Sequence, residues 1–314
     1  MEEFIIMLRN VLIFVALAIP GYILVKGKLL KPEQSGVLSK LLMYLALPLM
    51  IFSGVVKNLK FNAESLQMLL LVAVLGIVCV MAMFFVSAPL TQMEKNQKTK
   101  GMMRFCTVFA NNGFLGIPLA VAVFGGDSPV FTVLIVLNII NNVLMYTLGA
   151  YLATGDKKNI SIKKAFFNPV IVAFVLGCVC NLLGVTKSVP EVLTFSDHFS
   201  NIVTPVSMTV IGMKLGAVPM KSLFNSGKMY YVSLLKLVLF PAVITAVLLA
   251  VKGISADVIL GVFIAYATPT AGLAATFADE FGGDTENAVV FTLGTTVLSV
   301  ITIPTLYWLL NLFI

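Results

Sequence analysis

The chain is 314 residues long, 59% hydrophobic and only 11% charged, with a mean hydropathy of +1.03. That composition excludes an ordinary soluble domain and leaves a polytopic membrane protein with almost no mass outside the bilayer. The apolar runs continue for about 20 residues without alternating, which excludes a porin-type barrel, and the net charge of +7 then bears on topology and not on nucleic acid.

The first run starts behind Glu2 and Glu3, and Ala16-Leu17-Ala18 mimics a cleavage site. A signal peptide begins basic, whereas this start is acidic apart from Arg9, so the run reads as the first membrane span. Ten spans are predicted, at 4–25, 38–56, 66–90, 103–124, 129–153, 167–185, 198–217, 229–251, 256–280 and 286–313. The linkers are short and rich in Lys, Gly, Pro or Asn, and no stretch reads as an appended soluble domain.

Basic residues set the orientation. The 1–2, 3–4, 5–6 and 7–8 linkers hold fourteen, among them Lys31, Lys100, Lys157, Lys158 and Lys221, against five on the other face: Arg9, Lys57, Lys60, Lys187 and Lys252. By the positive-inside rule both termini face outward from the plasma membrane. The 9–10 linker, with Asp279, Glu280, Asp284 and Glu286, is acidic though predicted inside. Acidic residues weigh little in that rule.

Span 4 cannot be a regular helix. Asn111, Asn112 and Gly113 place amides and a weak helix former at its centre, and Gly116 precedes Pro118, which lacks a backbone donor. Freed backbone groups cost several kcal/mol each in hydrocarbon unless protein or water satisfies them. A break at mid-depth therefore predicts a protein-lined cavity, the way secondary transporters build binding sites.

The chain also repeats. Phe124-Gly125-Gly126-Asp127 recurs as Phe281-Gly282-Gly283-Asp284, and Pro48 recurs as Pro205, both offset by half the chain length. Halves of 1–157 and 158–314 would each hold five spans, an odd number, so they must lie inverted in the membrane. Span 9 is then the partner of span 4. It is broken too, by Thr268, Pro269, Thr270 and Gly272, with Asn111 equivalent to Thr268 and Asn112 to Pro269. The fold class is all-α and polytopic, two inverted five-helix repeats whose broken helices 4 and 9 cross near the midplane. Half-helix N-termini there favour an anion.

Other polar residues are weaker candidates. Span 5 carries Asn138, Asn141 and Asn142, for which interhelical packing is the default and substrate contact by Asn138 and Asn142 the sharper reading. Two cations fall well inside spans. Lys214 lies near the inner end of span 7 and can snorkel, so it reads as structural. Lys236, about two turns into span 8, either attracts an anion or snorkels. Cys178-Val-Cys180 has the wrong spacing for a redox pair or a zinc knuckle, and no metal or cofactor is expected.

Together these motifs resemble the auxin efflux carrier family. Asn111 to Pro118 is similar to its Asn-Thr-(three apolar)-Gly-Ile-Pro break, with Asn112 in place of threonine and Gly113 in place of an apolar residue. Leu47-Pro48-Leu49, Phe124 to Asp127, Met145 to Leu148, Lys236 with Pro241, and Pro269 to Phe281 also fit. The likeness covers essentially the whole chain. A 5–6 linker of only about a dozen residues is similar to the compact bacterial organic-acid permeases and unlike the plant carriers. The resemblance implies a scaffold of spans 1, 2, 6 and 7, a moving domain of spans 3–5 and 8–10, carboxylate cargo and, in some members, a homodimer.

The leading expectation is a secondary carrier of small organic anions such as malate, working by an elevator-like motion. Its substrate-binding residues would be Asn111, Asn112, Gly113, Pro118, Thr268, Pro269, Thr270, Asn138, Asn142 and Lys236. An anion channel or a ligand-sensing membrane protein of the same fold is the alternative. An intramembrane enzyme would need a nucleophile with a base, and the spans hold no His, Asp or Glu at depth.

Overall fold

The computed structural model describes residues 2–155 and 162–314. Lys157 and Lys158 of the expected inner linker, and the 157/158 boundary between halves, lie outside these residues. Every regular element described is helical. Those of eight residues or more are α1 (Glu2–Lys26), α2 (Pro32–Asn58), α3 (Ala63–Leu90), α4 (Gln97–Val108), α5 (Asn112–Phe124), α6 (Pro129–Ala153) and α7 (Pro169–Leu182). After them come α8 (Glu191–Ser200), α9 (Val203–Ala217), α10 (Gly227–Ala250), α11 (Ala256–Ala267), α12 (Ala274–Phe281) and α13 (Thr285–Leu310).

Six of these, α1, α2, α3, α6, α10 and α13, are long and apolar enough to cross a membrane. Spans 4 and 9 are broken as expected, into α4–α5 and α11–α12. Span 7 differs from expectation. Its helical run starts earlier, at Glu191, and turns at Asn201 and Ile202 before α9, because Pro205 suits the first turn of a new helix and not the interior of an old one.

Local sequence explains the helix ends. Side chains of Asn62, Asn96, Ser128, Asn168 and Asp284 cap α3, α4, α6, α7 and α13 by accepting backbone N–H bonds. The repeated glycines Gly125 and Gly282 end α5 and α12 at φ of 88° and 73°, where a side chain would be strained. Interior prolines are accommodated differently. Wide π turns at Leu42–Ala46, Asn112–Gly116 and Leu234–Leu239 each end two residues before a proline: Pro48, Pro118 and Pro241. Widening the turn relieves the clash between the ring and the carbonyl four residues back.

Helix packing falls into two sets, which meet where α1 packs along α13. In one, α1 lies along α9, and α2 packs on α7 and α8. Small residues let the backbones touch: a Cβ on Gly212 would sit 1.9 Å from the Ala18 carbonyl oxygen, and one on Gly21 would sit 2.1 Å from that of Thr209. Polar ties reinforce this set. Asn181 donates to the carbonyls of Val55 and Leu59, and Lys57 and Ser53 both donate to Asp197 at 2.7 Å. Burial pushes the Asp197 carboxyl up, but these two donors outweigh it and hold it below its ordinary value. Its contribution to stability is therefore present at neutral pH and lost as acid protonates it.

The other set joins α3 to α6, α6 to α11, and α13 to α4, α10 and α12. Tyr231 donates to the Leu90 carbonyl, Thr99 to Asp284, and Lys228 pairs with Glu94. Among the described residues only two hydrogen bonds join the sets, from Asn58 to the Gly126 carbonyl (2.6 Å) and from Lys214 to the Gly272 carbonyl (3.1 Å).

Gly212→Val should lower the thermal midpoint of the detergent-solubilised protein, since overpacking a close contact costs about 1–3 kcal/mol. Gly36→Ala, with nothing within 4 Å of the added carbon, should leave it unchanged. Fluorescence-detected size exclusion after heating compares the two.

Candidate functional site

The two breaks meet. The chain leaves helix in extended conformation at Phe109 after α4 and at Thr268 after α11, and Ala110 and Thr270 then form an antiparallel bridge. Asn111 N–H donates to the Pro269 carbonyl at 2.8 Å, and Ala271 N–H donates to the Phe109 carbonyl at 3.0 Å. Each break thus supplies what the other lacks, which a lone broken helix in lipid could not do. The second break falls two residues later in its half than the first, so the halves are not in strict register there.

Side chains satisfy the remaining backbone. Asn141 on α6 receives the Ala110 N–H at 3.3 Å and donates to the Ala110 carbonyl at 3.1 Å, completing a second small bridge. Thr270 donates to the Cys106 carbonyl at 2.7 Å, and the Thr295 hydroxyl accepts the Thr270 N–H at 3.2 Å. Thr268 lies within hydrogen-bond reach of both the Ala265 carbonyl and the Asn112 side-chain oxygen, at 3.0 and 3.2 Å. One hydroxyl proton cannot serve both, so turning the Asn112 amide over would only exchange which of its ends is left alone.

Beside the bridge lies a narrow cleft of about 40 Å³, room for about three waters at roughly 10–15 Å³ each. Five asparagines line it: Asn111, Asn138, Asn141, Asn142 and Asn168. Gly113, Ala271 and Gly272 supply backbone, and Met43 and Leu47 of α2 close one wall. No carboxylate is among the lining residues. The Asn111 amide has no protein partner among the described residues. Asn138 has a fixed orientation, because its oxygen accepts from Asn142 at 3.1 Å, and that leaves its buried NH₂ without a partner. The N–H groups of Gly113 and Phe114, first in α5, also lack partners among the described residues. The wall is therefore rich in spare donors.

The family described as "Membrane transport protein" matches residues 5–307. The chain belongs to that family. It is the grouping that the span 4 motif resembles, the auxin efflux carriers, and membership makes this a multi-pass membrane transport protein. An uncharacterized transporter of Methanothermobacter thermautotrophicus is 24% identical over 301 residues, 94% of this chain and 96% of its own length. An uncharacterized transporter of Methanocaldococcus jannaschii is 25% identical over 258 residues, 80% of this chain and 82% of its own.

The expected site residues of this transporter separate into groups. Asn111, Gly113, Asn138 and Asn142 line the cleft. Asn112 and Thr268 bond to each other, 1% and 0% exposed, and Pro269 lends its carbonyl to the bridge. Thr270 turns its hydroxyl toward Cys106. Pro118 sits past the π turn of α5, away from the lining, and Lys236 is fully buried with no partner and no place in the cleft. Three contributors were missed. Asn141 was read as packing and holds the break. Asn168 was not singled out, although Asn before Pro169 is a helix-start signal. Lys214 was read as snorkelling and instead reaches the break.

Asn141→Leu should destabilise the protein far more than Asn142→Leu. The first leaves the Ala110 N–H and C=O buried without partners, at about 1–3 kcal/mol each; the second loses only bonds to Asn138 within its own helix. Thermal midpoints in detergent give the comparison.

Proposed function

We propose that the cleft binds a small organic anion and that the protein is a secondary carrier of carboxylates such as malate. The observation that carries this reading is the surplus of unpartnered donors at the paired breaks, in a wall without carboxylates. A carboxylate leaving water needs several donors. Asn111, Asn138 and the free N–H groups at the start of α5 supply them, and the partial positive charge of that helix end adds to the attraction.

The carrier is built on ten spans in two inverted repeats, with both termini outside the plasma membrane. The shared glycine caps and the pairing of the two breaks support that arrangement. Spans 1, 2, 6 and 7 form a scaffold against which spans 3–5 and 8–10 slide. Support comes from the two packing sets, each tied internally and joined, among the described residues, by two hydrogen bonds and by the apolar packing of α1 on α13. In this state the cleft is lined by Met43 and Asn168, near the expected inner ends of spans 2 and 6. The Asn58–Gly126 bond closes the expected outer end. Room for about three waters is tight for a four-carbon diacid, which favours cargo entry by a parting of the sets.

Asn111→Ala should weaken malate binding by about one to two decades. A hydrogen bond to a charged group is worth about 1.5–3 kcal/mol, and 1.4 kcal/mol is a factor of ten. Asn112→Asp should be worse, because it adds like charge. Thr305→Ala, an exposed hydroxyl bonded within α13, should change nothing. Calorimetry on monodisperse protein tests all three, and an Asn111→Ala variant that binds like the parent removes the site from the cleft.

Motion has its own test. A disulfide between Asn58→Cys and Gly126→Cys should stop exchange in proteoliposomes, keep malate affinity within about threefold, and release exchange on reduction. Full exchange by a fully crosslinked protein would rule out the sliding motion.

A further inference from the structure

Lys214 is the one described cation whose charged end bonds to the broken segment beside the cleft. It projects from α9, in the set opposite to the one that carries the breaks, and its ammonium donates to the Gly272 carbonyl at 3.1 Å. Gly272 lines the cleft and also touches the unpartnered amide of Asn111: a Cβ placed on it would lie 3.6 Å from the Asn111 nitrogen. The ammonium and the free amide thus share one neighbour. Among the described residues Lys214 has no other hydrogen bond and no carboxylate within 4 Å. Its charge is uncompensated, and two of its three N–H donors are spare.

The chemistry of that bond bears on what the cleft accepts. A backbone carbonyl presents partial negative charge, which repels a carboxylate. An ammonium seated on the Gly272 carbonyl cancels that dipole and leaves net positive charge in a setting that screens it poorly. Neither lysine is a lining residue, but Lys236 is fully buried with no hydrogen-bond partner among the described residues, whereas Lys214 bonds to one that lines the cleft.

We propose that Lys214 is the specificity-determining residue that makes the cleft select anions over neutral or cationic molecules of the same shape, acting across the boundary between the two helix sets. The assignment rests on the reading of the cleft as an anion site. Lys214 is a charge-setting and positioning residue, and it need not touch the cargo.

The test measures the potential in the cleft without depending on which carboxylate is carried. Met43 lines the cleft and is half-buried. It is replaced by cysteine in a Cys178→Ser, Cys180→Ser background, and its rates of modification by anionic and cationic methanethiosulfonates of similar size are compared. The parent should favour the anionic reagent, relative to the reagents' reactivity with free thiol. Lys214→Met should lower that preference at least tenfold, and Lys214→Arg should keep it within about threefold. Lys214→Gln, which can still donate to Gly272 but has no charge, should behave like Lys214→Met. An unchanged preference in a monodisperse Lys214→Met protein overturns the assignment to Lys214 alone. Rescue by Lys214→Gln overturns it in favour of a purely structural bond, and an equal loss in Lys236→Met overturns it in favour of the deeper lysine. A parent that favours the cationic reagent sinks the anion reading of the cleft itself.

Discussion

A broken helix in hydrocarbon exposes backbone groups that neither lipid nor distant water can satisfy, and in this protein the exposed groups of one break are satisfied by those of another. The bridge of Ala110 with Thr270 is the smallest possible piece of sheet, set inside an otherwise helical molecule. It obliges α4, α5, α11 and α12 to meet end to end, and it brings α6 in as a third party through Asn141. Removing any one of these would leave buried N–H or C=O groups alone at about 1–3 kcal/mol apiece. The requirement that breaks be mutually satisfied therefore fixes where four half-helices end.

The same requirement makes the site. Ending helices at mid-depth leaves the N–H groups of Gly113 and Phe114 without partners among the described residues, at positions that line the gap beside the bridge. Asparagine suits this position. Its amide bonds to backbone without carrying charge into the membrane, and at Asn138, a lining residue, it leaves a buried NH₂ without a partner. Holding the backbone and, on the proposed reading, recognising cargo use one residue type, divided among five positions. Asn141 is spent on structure, while Asn111 and Asn138 keep donors in reserve. The division follows from where each side chain falls around its helix and not from its identity.

That division also marks what could be read in the sequence. The breaks in spans 4 and 9 were legible because glycine, proline and amides interrupt otherwise apolar runs, and the repeat Phe124 to Asp127 and Phe281 to Asp284 pointed to two similar halves. Gly125 and Gly282 of that repeat each end a half-helix at positive φ. Pro118 was misleading as a marker of the break. A π turn absorbs it, and the chain departs from helix several residues earlier, at Phe109. Asn141 and Asn142 are neighbours in sequence and both line the cleft, but they point about 100° apart on a helix, so only the packing of α6 against the break shows which amide holds the Ala110 backbone. The two lysines were exchanged in importance for a similar reason. Depth along a span was legible for Lys236 and Lys214, but not the direction each takes across the bundle.

The central claim is that cargo binds where the breaks pair. Leu273 lines the cleft just after the second break and is half-buried, so Leu273→Cys reports directly on occupancy. In proteoliposomes, alkylation of this cysteine should be slowed by malate or a related carboxylate, with half-protection at the concentration that half-saturates uptake of the same compound. Saturable carboxylate uptake with no protection of Leu273→Cys would place the cargo elsewhere and contradict the account.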